Sequence, residues 1–131
     1  MNLFTNTVTL RGFLAEDAEA PSSNHIEADS FAVLLLATVS GTWDLSTNEW
    51  TPRTDWHRII CPGPFFCGLV RGMRRGDYLE VEGELQAQEH IRVAVVSGES
   101  YPVKRSTHAI YAIRIQRLDR PEALVDMGED G

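Results

Sequence analysis

The chain has 131 residues, of which 43% are hydrophobic, and its formal net charge is −7. This length suits one domain with a real hydrophobic core, and no stretch reaches the roughly 20 apolar residues that cross a bilayer. The first six residues have neither a basic region nor a long apolar run, so we expect a cytoplasmic chain without a secretory signal or a membrane partner.

The acidic residues are concentrated in two segments of the chain. Residues 15–29 contain five carboxylates and residues 121–131 contain four, and neither segment contains Lys or Arg. Residues 30–120 hold the other ten acidic residues against eleven basic ones. Because attraction to phosphate acts over a Debye length of about 8–10 Å, the acidic total does not exclude binding to nucleic acid.

The first half of the chain contains three strand patterns. Asn6–Leu14 alternates apolar and polar residues, and the polar residues 15–29 are typical of a loop. Phe31–Val39 is almost continuously apolar, which predicts a central strand buried on both faces. Gly41–Thr54 is polar but contains two tryptophans around turn residues, which predicts a protruding hairpin, and Asp55–Cys61 forms the third strand.

A single helix is predicted at Pro64–Arg75. Proline suits the first turn, three apolar residues recur every fourth position to give one apolar face, and three arginines favour the last turn through the helix dipole. Gly76 is a natural stop. The apolar residues are Phe65, Leu69 and Met73, and the arginines are Arg71, Arg74 and Arg75.

Two further strands follow the helix. Residues 78–85 alternate apolar residues with Glu80, Glu82 and Glu84, an acidic face that would repel phosphate, so we expect nucleic acid to bind elsewhere. A second hairpin turns around residues 97–100. It is formed by His90–Val96 and Tyr101–Tyr111, and Tyr111, Ile113 and Ile115 complete the last strand.

Three strands, a helix and two strands is the order of the oligonucleotide/oligosaccharide-binding (OB) fold. We therefore expect an all-β, five-stranded Greek-key barrel over residues 1–120, with one short helix between strands 3 and 4. Residues 121–131 are expected to form a short acidic disordered tail. Cys61 and Cys67 lack the spacing of zinc or redox motifs, so we expect small, reduced core residues.

Three segments carry a family resemblance. Residues 6–17 are Asn-Thr-Val-Thr-Leu-Arg-Gly-Phe-Leu-Ala-Glu-Asp, residues 54–60 are Thr-Asp-Trp-His-Arg-Ile-Ile, and residues 76–85 are Gly-Asp-Tyr-Leu-Glu-Val-Glu-Gly-Glu-Leu. In this order they resemble the bacterial single-stranded DNA-binding (SSB) proteins over about residues 5–118. The resemblance implies binding of single-stranded DNA with little sequence preference, in replication, repair or recombination, by a homo-oligomer, tetramer or dimer, without a cofactor.

The resemblance also implies a set of binding residues, because aromatic side chains of these proteins stack on bases. Trp43 and Trp56 match two stacking positions, a third that is usually phenylalanine is Pro62 here, and a fourth aromatic falls near His90. His57 matches a subunit contact. The aromatic residues that could compensate are Trp50, Tyr101 and His90, and the cations near the hairpins that could contact phosphate are Arg53, Arg58, Lys104 and Arg105.

Each candidate residue also has a structural interpretation. Trp56 could be a half-buried edge residue, Trp50 could be the cross-strand partner of Trp43, and His57 could be a histidine satisfied within the barrel. No metal site is expected, because no other His or Cys lies at ligand spacing.

Other functions remain open alternatives. The sequence contains no Walker-type loop, Gly-x-Ser-x-Gly or His-Glu-x-x-His motif, so an enzyme is not expected, and a small nuclease on the same fold is a distant alternative. An OB-fold accessory or primosomal-type oligomer with weak or lost DNA binding is nearer, favoured by the missing aromatics and the acidic balance. Residues 127–131 lack the family's terminal Pro-Phe, so recruitment of replication or repair partners is not expected.

Overall fold

The computed structural model describes residues 3–121, which form a closed five-stranded barrel. The strand order is β1-β2-β3-β5-β4, with β3 parallel to β5 and the other neighbours antiparallel. The elements are β1 (Val8–Leu14), a 3-10 turn (Ser23–His25), β2 (Phe31–Asp44), β3 (Glu49–Pro62), α1 (Gly63–Val70), β4 (Tyr78–Val96) and β5 (Glu99–Leu118). The predicted OB fold, with its short helix after the third strand, is confirmed. Apart from Pro121, the predicted tail of residues 121–131 lies outside the described residues.

One face of each barrel strand points into the core. On β2 the core residues are Ala32, Leu34 and Leu36, which are almost fully buried. The prediction that this strand is buried on both faces is wrong, because Phe31 is 52% exposed and Val33 is only partly buried. The β1–β2 loop partly covers the second face of β2, where Glu19 bridges to Val33. This cover explains why the residues on that face are apolar as well.

The first strand approaches β2 very closely at Gly12. A Cβ atom at this position would overlap the backbone carbonyl oxygen of Ala37. Only glycine therefore lets β1 close the barrel between β2 and β4 without a shift of the backbone.

The helix is shorter than predicted. It ends at Val70, and its buried residues are Cys67 and Val70 rather than Phe65 and Leu69, which are 75% and 41% exposed. The expected apolar face is therefore wrong, although Met73 is buried just beyond the helix.

The loop between β1 and β2 explains where the helix ends. The backbone N–H of Ala18 donates to the carbonyl of Met73 (3.0 Å), and the N–H of Arg75 donates to the carboxylate of Asp17 (2.8 Å). Arg74 also pairs with Asp17, at 3.5 Å. Residues 71–75 thus bind the neighbouring loop, and Arg74 and Arg75 do not serve the helix terminus as predicted.

Strands β4 and β5 form one long hairpin. Its two-residue turn has positive φ at both Ser97 (52°) and Gly98 (81°), as a type I′ hairpin turn requires. A β-bulge opposite Glu82 and Gly83 shifts the register of β5. Ile113 therefore lies 57% exposed, whereas Ala112 and Ile115 on either side of it along β5 are buried.

Both cysteines are free and buried, as predicted. Burial raises the pKa of the Cys61 thiol to about 12, and the nearby Cys67 adds to the effect. Within residues 3–121 there is no cluster of side chains that could hold a metal ion. Over the same residues, no helix is long and apolar enough to span a membrane.

Candidate nucleic-acid interface

Two long hairpins extend beyond the barrel, and nearly all of their residues are exposed. The β2–β3 hairpin is paired without a break from Phe31 opposite Pro62 to Asp44 opposite Glu49. Side chains of adjacent residues point to opposite faces of a strand, and directly opposed residues share a face. On strands β2–β5, side chains alternate between the face that contains the core residues and the opposite face. We call this opposite face the groove face.

All three tryptophans lie on the groove face of the β2–β3 hairpin. Trp43 is paired directly with Trp50, and Trp56 is opposite Ala37. Their exposed fractions are 49%, 54% and 62%, respectively. The predicted cross-strand partnership of Trp43 and Trp50 is confirmed, with ring centroids 6.5 Å apart and ring planes inclined at 39°.

The geometry of this hairpin holds the tryptophan pair in place. Gly41 leaves room for the indole of Trp50, because a Cβ atom at Gly41 would overlap that ring. At the turn, Asp44 accepts hydrogen bonds from the hydroxyl (2.7 Å) and the backbone N–H (2.9 Å) of Ser46. The Ser46 hydroxyl is the main reason that the pKa of Asp44 is lowered. Asn48 completes the turn with a φ of 57°.

The two arginines near Trp56 lie on different faces. Arg58 is exposed on the groove face, two residues after Trp56. Arg53 lies on the other face, where its guanidinium pairs with the carboxylate of Asp55 at 3.1 Å. The structure therefore groups Arg58, but not Arg53, with the tryptophans.

The β4–β5 hairpin contributes a second set of polar groups. His90 and Arg105 are directly paired on the groove face, and the Nε2 atom of His90 is 3.2 Å from the hydroxyl of Thr107. Lys104 is paired with Ile91 on the opposite face. Thus His90 and Arg105 lie on the groove face of this hairpin, and Lys104 lies on its other face.

A groove of about 340 Å³ separates the two hairpins at the barrel surface. The β2–β3 side supplies an aromatic ring, a cation and apolar residues, and the β4–β5 side supplies mainly polar groups. The residues that line it include Asp29, Phe31, Arg58, Pro62, Gln88 and Tyr111. Sequence reasoning did not identify Phe31, Gln88 or Tyr111 as site residues, because only the pairing of β3 with β5 brings the two hairpins together.

Positive charge is available on the groove face. Within residues 3–121, Arg58, Arg92 and Arg105 take part in no ion pair. On the acidic part of β4, by contrast, Glu80 pairs with Arg11 (3.4 Å) and Glu82 pairs with Arg114 (4.0 Å). Cross-strand arginines therefore offset much of the acidic face noted in the sequence.

His57 has a partner within the chain. Its Nε2 atom lies 2.8 Å from the hydroxyl of Thr38, and the histidine is partly buried on the face opposite Trp56. This hydrogen bond agrees with the interpretation of a satisfied histidine. A subunit contact at His57 stays a prediction.

No protein-family model matches the sequence. Among solved structures, the chain is similar to the Plasmodium falciparum SSB in complex with single-stranded DNA, at 25% identity and a TM-score of 0.68, over 91% of this chain and 100% of that one. It is also similar to the small single-stranded DNA-binding protein of Streptomyces coelicolor (20% identity, TM-score 0.54, 87% of this chain and 95% of that one).

A third similar structure is the wild-type single-stranded DNA-binding protein of Thermus aquaticus, at 19% identity and a TM-score of 0.62 over 88% of this chain. The match covers 50% of that protein, so this chain spans about half its length. The chain has the fold of the SSB proteins. The SSB resemblance inferred from the three sequence segments is confirmed by these structures.

Proposed function

We propose that this SSB-like chain binds single-stranded DNA with little sequence preference and without catalysing a reaction. The observation that carries the proposal is the exposure of Trp43, Trp50 and Trp56 on one face of an OB barrel. Arg58, two residues after Trp56, forms no ion pair within residues 3–121. The similar Plasmodium falciparum structure contains single-stranded DNA, which supports the same ligand here. In this proposal the chain holds unwound DNA during replication, repair or recombination.

Stacking would supply the sequence-tolerant part of the binding. Trp56 is 62% exposed, so the face of its indole is open to a base. Arg58 lies two residues further along β3, about 7 Å away, close enough to pair with a phosphate next to the stacked base. Because every base has a π face, such stacking does not depend on base identity.

The net charge of −7 does not oppose this proposal. The groove face carries Arg58, Arg92 and Arg105 without ion-pair partners in the described part of the chain. Attraction to phosphate depends on charges within a Debye length of about 8–10 Å and not on the whole-chain total. Carboxylates of the β1–β2 loop, including Asp29, lie near Arg58, so Arg92 and Arg105 on the β4–β5 hairpin would add the local positive charge.

Titration of the tryptophan fluorescence with oligo-dT tests the proposal. We expect DNA to quench the emission, and we expect Trp43→Ala or Trp56→Ala to weaken binding by about 1–3 kcal/mol each. Trp56→Phe is the matched control, because it keeps an aromatic ring and should retain most of the affinity. A folded Trp43→Ala/Trp56→Ala double variant with unchanged affinity would reject the stacking mechanism.

A second candidate function is favoured by an exposed apolar row on the β4–β5 hairpin. Ile91, Val93 and Val95 share the face opposite the groove face and are 69%, 66% and 69% exposed. We infer that this row supports a homo-oligomer, a dimer or a tetramer, since a second copy could cover it. An OB-fold accessory protein with weak DNA binding would form the oligomer but show no quenching by oligo-dT.

A further inference from the structure

We propose that Phe31 forms a base-binding position of its own, with one nucleobase held in the groove between its ring and the Gln88–Tyr111 pair. The inference rests on the proposed function, because it assigns a further contact for the same ligand. It concerns a part of the groove face that contains none of the three tryptophans.

The register of β2 and β3 places Phe31 directly opposite Pro62. Their side chains share a face, with Cβ atoms about 5 Å apart, and both line the groove. Phe31 is nevertheless 52% exposed, although it begins the strand that supplies Ala32, Leu34 and Leu36 to the core. A ring held at a strand end and left half open is available for stacking.

The opposite wall of the groove is polar. The side-chain N–H of Gln88 donates to the phenolic oxygen of Tyr111 at 2.9 Å. This bond leaves the Gln88 carbonyl oxygen as an acceptor and the Tyr111 O–H as a donor. Adjacent donor and acceptor groups match the edge of a nucleobase, which also carries donors beside acceptors.

The other residues that line the groove fit the sugar of a nucleotide better than its phosphate. Ile60 and Pro62 give apolar surface and Asp29 contributes a carboxylate. Arg58 lies at the end nearer Trp56, where it would serve the phosphate of the base stacked there. The volume of about 340 Å³ lies at the lower end of the range for small-molecule sites. It is therefore suited to one nucleotide rather than to a larger ligand.

Phe31 and Trp56 would bind different bases. Phe31 is level with Pro62, which lies six residues after Trp56 on β3, a separation of about 20 Å along the strand. Contributions from positions so far apart are usually independent. The losses in affinity caused by changes at the two sites should therefore multiply.

The test compares Phe31→Ala with Phe65→Ala, because Phe65 is also exposed (75%) but lies on α1, outside the groove. With oligo-dT of about 15 nucleotides, near the upper site size of an OB domain, Phe31→Ala should bind about tenfold more weakly. Phe65→Ala should bind as the wild type does. Tryptophan quenching can report both, since each variant retains all three tryptophans.

Moving the aromatic side chain from β2 to the opposite position on β3 gives a stricter test. In Phe31→Ala/Pro62→Phe the ring returns to the same face from the directly opposed position, so we expect it to recover most of the lost affinity. If Phe31→Ala does not fold, Phe31→Leu keeps an apolar side chain but removes the aromatic ring, and it should show the same loss.

The outcomes separate the two proposals. Wild-type affinity in a folded Phe31→Ala or Phe31→Leu variant, with a loss in Trp56→Ala, overturns the Phe31 site and leaves the proposed function standing. No quenching of the wild-type chain by oligo-dT overturns both. A loss in Phe31→Ala that multiplies with the loss in Trp56→Ala supports both.

Discussion

Replacing Arg58 by alanine should reduce the salt dependence of DNA binding, whereas replacing Arg53 should not. Both changes remove one positive charge from the same strand. Arg58 lies on the groove face beside Trp56, without an ion-pair partner in residues 3–121. Arg53 lies on the other face and is paired with Asp55 at 3.1 Å.

The expected size follows from counterion release. Each phosphate contact to a single strand contributes about 0.7 to the slope of log affinity against log salt. Loss of the Arg58 contact should make this slope shallower by about that amount. Over a tenfold rise in salt, the fold-loss of affinity in Arg58→Ala should then be about five times smaller than in the wild type. Arg53→Ala removes only an exposed ion pair, which contributes about 0–1 kcal/mol to stability.

The assay is tryptophan quenching by oligo-dT at several salt concentrations between about 50 and 500 mM. Arg53→Ala is the control for net charge, because it changes the whole-chain charge as much as Arg58→Ala does. Equal losses of slope in the two variants would show that total charge, and not the groove face, governs binding. An unchanged slope in Arg58→Ala would refute the phosphate contact.

Two further predictions concern assembly and the core. Light scattering should give a mass at least twice the 14.7 kDa of the chain, and Val93→Lys should lower it; a wild-type chain that is monomeric at micromolar concentration would contradict the oligomer. Burial raises the pKa of Cys61 from 9.0 to about 12, so the folded chain retains a proton that the unfolded chain loses. The contribution of the Cys61 thiol to the free energy of unfolding is therefore fully present below about pH 9 and falls as the pH rises toward 12. Urea unfolding should show a smaller difference between wild type and Cys61→Ala at about pH 10 than at about pH 7, and a constant difference would argue against the shift.

The order of the elements could be predicted from the sequence because it depends on local patterns. Alternation of apolar residues, turn residues and the spacing of the tryptophans predicted the barrel and both hairpins. The proximity of Trp56 and Arg58 on one face also followed directly, because residues two apart on a strand point the same way. The face of Arg53 did not follow from the sequence, because strand β3 was expected to begin at Asp55, whereas it begins at Glu49 and its side chains alternate from there.

Only the tertiary structure decided which distant residues share the groove. Phe31 becomes a candidate site residue because antiparallel pairing sets it opposite Pro62, and Gln88 and Tyr111 join it because β5 lies beside β3. The β1–β2 loop also determines where the chain leaves the helix, since the carboxylate of Asp17 in this loop accepts the backbone N–H of Arg75. Patterns within one segment specify which face of a strand is apolar, but the register and hydrogen bonds between segments determine what that face meets.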